Sequence, residues 1–158
     1  MAQKTALLSA YDKTGLETFA AKLVMHYGFD LLASAGTAKY LADKGIKARD
    51  VSEIVGPPIL GHRVVTLSRE IHAALLATDS PEDQAELDRL GVPRIDLVYV
   101  NFYPLQEEIE KPGSTLESVI EKTDIGGPTL LRSAAKGRRI TLCRPQDFIH
   151  ALQGWSPI

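Results

Sequence analysis

The chain has 158 residues, 44% hydrophobic and 24% charged, with a formal net charge of −2, which is the composition of a globular domain able to bury a core. So small a charge gives no long-range field for nucleic acid or an anionic membrane, and any bound anion must be held by local donors. One cysteine excludes an internal disulfide or a cysteine-rich metal site, and no apolar run approaches the roughly 20 residues that span a bilayer.

Met1 to Lys4 carries no secretory pattern, and the expectation is a cytoplasmic protein in a reducing compartment. Thr5 to Ser9 reads as a buried strand. Tyr11-Asp12-Lys13-Thr14-Gly15 follows as a turn with helix-capping chemistry, then a helix with Leu16, Phe19, Ala20 and Leu23 on one face, ended by Gly28. Phe29 to Ala33 is the next strand, Ser34 to Thr37 a second strand-to-helix turn, and Ala38 to Lys44 a short helix closed by Gly45. Ile46 to Val51 predicts a third strand.

Val55 to Pro58 signals a loop. His62 to Thr66 fits a strand or a loop, and Ile71 to Ala77 a strand or a buried helical turn. Pro81 to Leu90 has a surface-helix pattern with proline in its first turn. Ile95 to Val100 is the clearest strand, running into Asn101-Phe102-Tyr103-Pro104. Helices are predicted over Leu116 to Ile120, Pro128 to Lys136 and Pro145 to Leu152, with a last strand at Ile140 to Cys143, where Cys143 reads as core packing. Strands alternating with helices argue for one α/β domain over 1–158: a mainly parallel sheet with helices on both faces.

Polar segments recur directly after strands, where such sheets place their ligands. Ser34, Gly36 and Thr37 have the chemistry of a phosphate cradle, with hydroxyl donors, a bare backbone and a helix N-terminus. Lys13 on the neighbouring turn adds a positive charge. The plainer alternative is that Ser34 and Thr37 only cap the next helix. Further on, Asp124 precedes the Gly126-Gly127 turn, and Lys136 stands near the end of the helix that follows. A carboxylate and an ammonium brought together could relay a proton, or each could simply satisfy a helix dipole. His26, His62, His72 and His150 lack the spacing of a metal site. Neither a Walker loop nor G-x-G-x-x-G occurs, so ATP and dinucleotides are not indicated.

These strings resemble, in order, the cyclohydrolase half of the bifunctional AICAR formyltransferase/IMP cyclohydrolase family. The anchors are Ser9 to Leu16, Leu32 to Lys39, Asp50 to Glu53, Arg63 to Leu67, Asn101 to Pro104 and, most specific, Asp124 to Lys136. The resemblance implies a methylglyoxal synthase-like three-layer sandwich. It implies ring closure of formyl-AICAR to inosine monophosphate (IMP) and water in purine biosynthesis, the work of a hydrolase acting on cyclic amidines, with no cofactor and no metal. Lys13, Ser34, Gly36 and Thr37 then resemble the phosphate site. Ser9, Arg63, Thr66 and Gly126 line the nucleotide pocket, Asn101 orients the carboxamide, and Tyr103, Asp124 and Lys136 form the catalytic network. It further implies a homodimer, with exposed residues such as Phe102 at the contact, and no partnership with nucleic acid or membrane.

The departures are specific. Where the family reads Gly-Arg-Val-Lys-Thr-Leu-His-Pro, this chain has His62 to Arg69, so Val65 replaces a catalytic lysine and Ser68 a histidine. His62, in place of glycine, is a candidate substitute for that lysine. The loop from Gly56 to Gly61 is shorter and lacks the family's glutamate, and the chain stops soon after Trp155, without a formyltransferase domain. Formyl transfer is therefore not expected, and a separate protein would supply the formylated substrate. Two other readings stay open: a regulatory module that binds a purine monophosphate without turnover, which Val65 favours, and methylglyoxal synthase, against which the carboxylate-free Gly56 to Gly61 loop speaks.

Overall fold

The computed structural model describes residues 3–154, so Met1, Ala2 and Trp155 lie outside it. In chain order the elements are β1 (Lys4–Ser9), α1 (Leu16–Tyr27), β2 (Phe29–Ala33), α2 (Ala35–Asp43), β3 (Arg49–Asp50), α3 (Ser52–Val55), α4 (Arg69–Leu76) and α5 (Pro81–Leu90). There follow β4 (Leu97–Val100), α6 (Leu105–Glu110), α7 (Leu116–Glu121), α8 (Gly126–Lys136), β5 (Ile140–Leu142) and α9 (Asp147–Gln153). The strands pair in parallel in the order β3-β2-β1-β4-β5.

Alternation along each strand divides its side chains between two cores. Ala6, Leu8, Leu31, Leu97 and Tyr99 face a core shared with α1, α2 and α9, in which Phe19 stacks on Phe148 at 4.2 Å. Leu7, Leu32, Val98 and Val100 face the other, closed by Ile71, Ala74 and Leu75 of α4 and by Leu130 and Ala134 of α8. The expected three layers, with helices on both faces of a parallel sheet, are therefore present. The strand order reverses between β1 and β4, and such a switch point leaves a crevice at the carboxyl ends of the strands. Among the described residues, no helix is long and apolar enough to cross a membrane.

Several expectations change. The strand predicted from Ile46 to Val51 shrinks to Arg49–Asp50, because the Ile46 amide bonds Leu41 O and the Ile46 and Ala48 side chains pack on the first core instead. Of the two alternatives for Ile71 to Ala77 the helical one holds, as far as Leu76: Ser68 caps α4 by accepting from the Ile71 amide, and Ile71, Ala74 and Leu75 share its buried face. His62 to Thr66 is a turn, joined to the chain before it by a single antiparallel bridge from Ile59 to Val64. The second turn is shorter than predicted, since α2 already starts at Ala35. α1 begins at a left-handed Gly15 with no side-chain cap, and the capping chemistry before it is spent locally, Asp12 accepting from Thr14. Cys143 is exposed rather than core, because β5 ends at Leu142.

Candidate active site

At the tips of β1 and β2 three hydroxyls form a chain. Ser9 Oγ lies 3.2 Å from Ser34 Oγ, which lies 3.1 Å from Thr37 Oγ1. Thr37 is buried within α2 and accepts from the Ala10 amide at 3.0 Å. Its hydroxyl therefore buckles the first loop to the second while still lining the cleft. Ser34 occupies the N-cap position of α2 without a side-chain cap bond, so the plainer capping alternative fails for it. The first amides of α2, on Ala35 and Gly36, have no acceptor within the helix. A Cβ on Gly36 would meet nothing within 4 Å, which leaves this floor bare. Helix dipole and open amides suit an anion here.

Lys13 folds back over its own loop, Nζ lying 3.1 Å from Ala10 O and 3.2 Å from Tyr11 O, which parks its charge beside this floor. Asn101, at the tip of β4, is fully committed. Its Oδ1 accepts from the amides of Tyr11 and Asp12 at 2.6 and 3.1 Å, while Nδ2 donates to Asp12 O and to the Tyr99 hydroxyl at 2.6 and 2.8 Å. Burial pushes the Tyr99 phenol up to about 12, so it holds its proton throughout. Asn101 thus clamps the β1–α1 loop rather than presenting a free amide.

Opposite the floor stand Tyr103 and Asp124. Burial, then the charges of Asp124 and Glu121, push the Tyr103 phenol up from its ordinary value. Its ring meets Tyr11 edge-on at 5.6 Å, and Lys122 Nζ lies 5.2 and 5.4 Å from the two ring centres. Asp124 Oδ1 accepts from the Gly127 amide at 2.8 Å, and among the described residues nothing donates to Oδ2. The Gly-Gly start of α8 is closely surrounded: a Cβ on Gly126 would lie 3.0 Å from Thr66 Oγ1, and one on Gly127, 2.8 Å from Phe102 and 2.9 Å from Asp124, would force those side chains to shift.

The rim carries His62, Arg63 and Glu121. His62 Nε2 lies 2.8 Å from Glu121 Oε1, and the Arg63 guanidinium 3.2 Å from Oε2. Arg63, and less so His62, hold the Glu121 carboxyl below the usual carboxylate range. Every candidate except Lys136 lines one cleft of about 620 Å³, in the size range of small-ligand sites. Lys136 is exposed at the far end of α8, roughly 15 Å along the axis from Gly126, so the expected pairing with Asp124 does not form within the chain. Tyr11, Glu121 and Lys122 were not foreseen. Tyr11 stands in the first polar segment and could have been found there. Glu121 and Lys122 read in sequence as a solvated helix end.

The cleft lies at the switch point of the sheet. The model of the MGS-like domain family matches residues 15–129. The chain belongs to the MGS-like domain family. Its curated relatives include bifunctional purine biosynthesis proteins PurH. That of Thermosynechococcus vestitus is 51% identical over 84% of this chain and 26% of the relative, and that of Caldicellulosiruptor bescii 44% identical over 92% and 29%. This MGS-like chain therefore spans less than a third of the length of these relatives. The crystal structure of ForH superposes with a TM-score of 0.78 at 33% identity, covering 96% of this chain and 79% of ForH.

Proposed function

We propose that the cleft is an IMP cyclohydrolase site, closing the second purine ring of formyl-AICAR with loss of water. The observation that carries the reading is one cleft with an anion floor at the start of α2 and a phenol beside a carboxylate opposite, in a chain 51% identical to a PurH protein. The α2 amides, Ser9, Ser34 and Lys13 take the 5′-phosphate. The carboxamide nitrogen attacks the formyl carbon, Oδ2 of Asp124 accepts the N–H proton, and Tyr103 protonates the formyl oxygen. Holding both ends of one molecule face to face contributes most of the entropic advantage, and the side chains manage protons. Ring closure forms one C–N bond, expels the formyl oxygen as water and transfers neither electrons nor a group to a second molecule, so proton transfer is the chemistry asked of the side chains.

The same proposal places the reaction in the cytoplasm. It includes a homodimer, as the family resemblance implies. Purified protein mixed with formyl-AICAR should raise purine absorbance well above buffer. Tyr103→Phe and Asp124→Asn should each lower kcat on the order of 10²-fold. Calorimetric binding of IMP with no turnover would instead make this a purine-monophosphate-binding regulatory module.

A further inference from the structure

Ring closure needs a second proton donor. After the carboxamide nitrogen has added to the formyl carbon, the new hydroxyl leaves only if it is protonated, and the formamido nitrogen must lose its own proton as the C=N bond forms. The family resemblance supplies a lysine at the position of Val65, an aliphatic side chain that lines the cleft and packs against the core under α4 and α8. Three residues earlier the chain builds something else. Ile59 and Val64 exchange backbone hydrogen bonds at 2.9 and 3.2 Å and close a four-residue loop, in which Leu60 and Gly61 are left-handed at φ 55° and 75°. A leucine stays in that conformation only where its surroundings impose it. The loop sets His62 and Arg63 against Glu121 of α7, one nitrogen to each carboxylate oxygen, and all three border the cleft that holds Tyr103 and Asp124.

We propose that His62, oriented by Glu121, is the proton donor to the departing hydroxyl in this chain, in place of the family's lysine. The assignment rests on the cyclohydrolase reading above. Glu121 fixes Nε2, as a carboxylate orients imidazole in catalytic triads, and among the described residues Nδ1 makes no hydrogen bond. The protonated imidazole gives its proton to the hydroxyl, the C–O bond breaks, and water leaves. The Tyr103 phenolate formed in the first step takes the formamido proton as the C=N bond closes. The proton held by Asp124 returns through solvent to His62. Two N–H protons and the formyl oxygen thus leave as water, and each side chain ends as it began. The charged and titratable groups that share the cleft with His62 are Arg63 on its own loop, Glu121 at the end of α7, Asp124 before α8, Tyr103 after β4, and Tyr11 and Lys13 after β1, while Lys122, following α7, lies over the Tyr11 and Tyr103 rings.

The test is steady-state turnover of formyl-AICAR from pH 5 to 9 by wild type, His62→Gln, His62→Lys and Glu121→Gln. The His62 side chain is 67% exposed, so its variants should fold. A donor that must carry its proton is lost as pH rises, so wild-type kcat should fall on the alkaline side of the profile. His62→Gln should lower kcat about 10²-fold with little change in KM and abolish this fall. His62→Lys should recover much of the rate and carry it to higher pH, and Glu121→Gln should lower kcat while keeping the pH dependence. A His62→Gln enzyme with the wild-type rate and profile, or a His62→Lys enzyme no better than His62→Gln, overturns the assignment while leaving the cyclohydrolase reading intact. A wild type without turnover removes both.

Discussion

Gly36 and Gly127 stand at the starts of the two helices that border the cleft, and a methyl group would meet opposite surroundings at each. At Gly36 it enters open space, so Gly36→Ala should stabilise the fold by up to about 1 kcal/mol through the lower entropy of the unfolded chain. The same methyl covers the bare amides of α2, and IMP binding should weaken several-fold. At Gly127 it would lie 2.8 Å from Phe102 and 2.9 Å from Asp124 Oδ2. Gly127→Ala should therefore cost roughly 1–3 kcal/mol and displace the carboxylate. Thermal melts and calorimetry on the pair check both; equal effects at the two positions would contradict the placement of the floor. Residue chemistry was legible where it depended on type, as for the hydroxyls of Ser9 and Ser34. It was not legible where it depended on direction. Nothing in a threonine tells whether its hydroxyl faces a ligand or buckles two loops, as Thr37 does, nor does the chain reveal that the amide of Asn101 is spent on Asp12, Tyr11 and Tyr99.

Between elements, the contact of α4 with α8 positions the helix whose start holds Asp124. His72 of α4 meets Ser133 of α8 through Nδ1 at 2.8 Å, while its Nε2 is buried without a partner. Burial lowers the His72 pKa below its ordinary value, so the folded state prefers the neutral ring. Stability from this group is complete above the unfolded value near 6.5 and is lost as pH falls below it. The melting temperature should hold above pH 7 and decline from about pH 6.5 towards 5, and His72→Gln should flatten that decline. A wild-type melting temperature that does not change from pH 7 to 5 would contradict this packing. At the lower end of the same contact a Cβ on Gly137 would collide with Leu75 O, and Arg139 donates to the carbonyls of Leu75 and Ala77 that end α4. Long elements with clear periodicity, such as α1 and β4, were legible. Short ones were not: β3 is an edge pair whose flanking apolar residues pack without pairing, and α3 and α6, with four and six residues, carry too little periodicity to show.

For the molecule as a whole, alternation of strands and helices was enough to anticipate a parallel sheet, and the cleft lies at its strand tips. The alternation could not give the order β3-β2-β1-β4-β5, which decides that the tips of β1, β2 and β4 meet. Nor could it show that eleven residues of α8 carry Lys136 away from that edge. Sequence spacing is silent on long-range contacts, and the ion pairs of Glu121 with the loop at His62 and Arg63 are of that kind. A crystal structure of the protein with IMP tests the central claim most directly. The account predicts the phosphoryl group on the amides of Ala35 and Gly36, between Ser34 and Lys13, with the purine facing Tyr103 and Asp124. Nucleotide bound instead in the groove at the opposite end of the sheet, beside Asp30, Lys47 and Arg49, would contradict it.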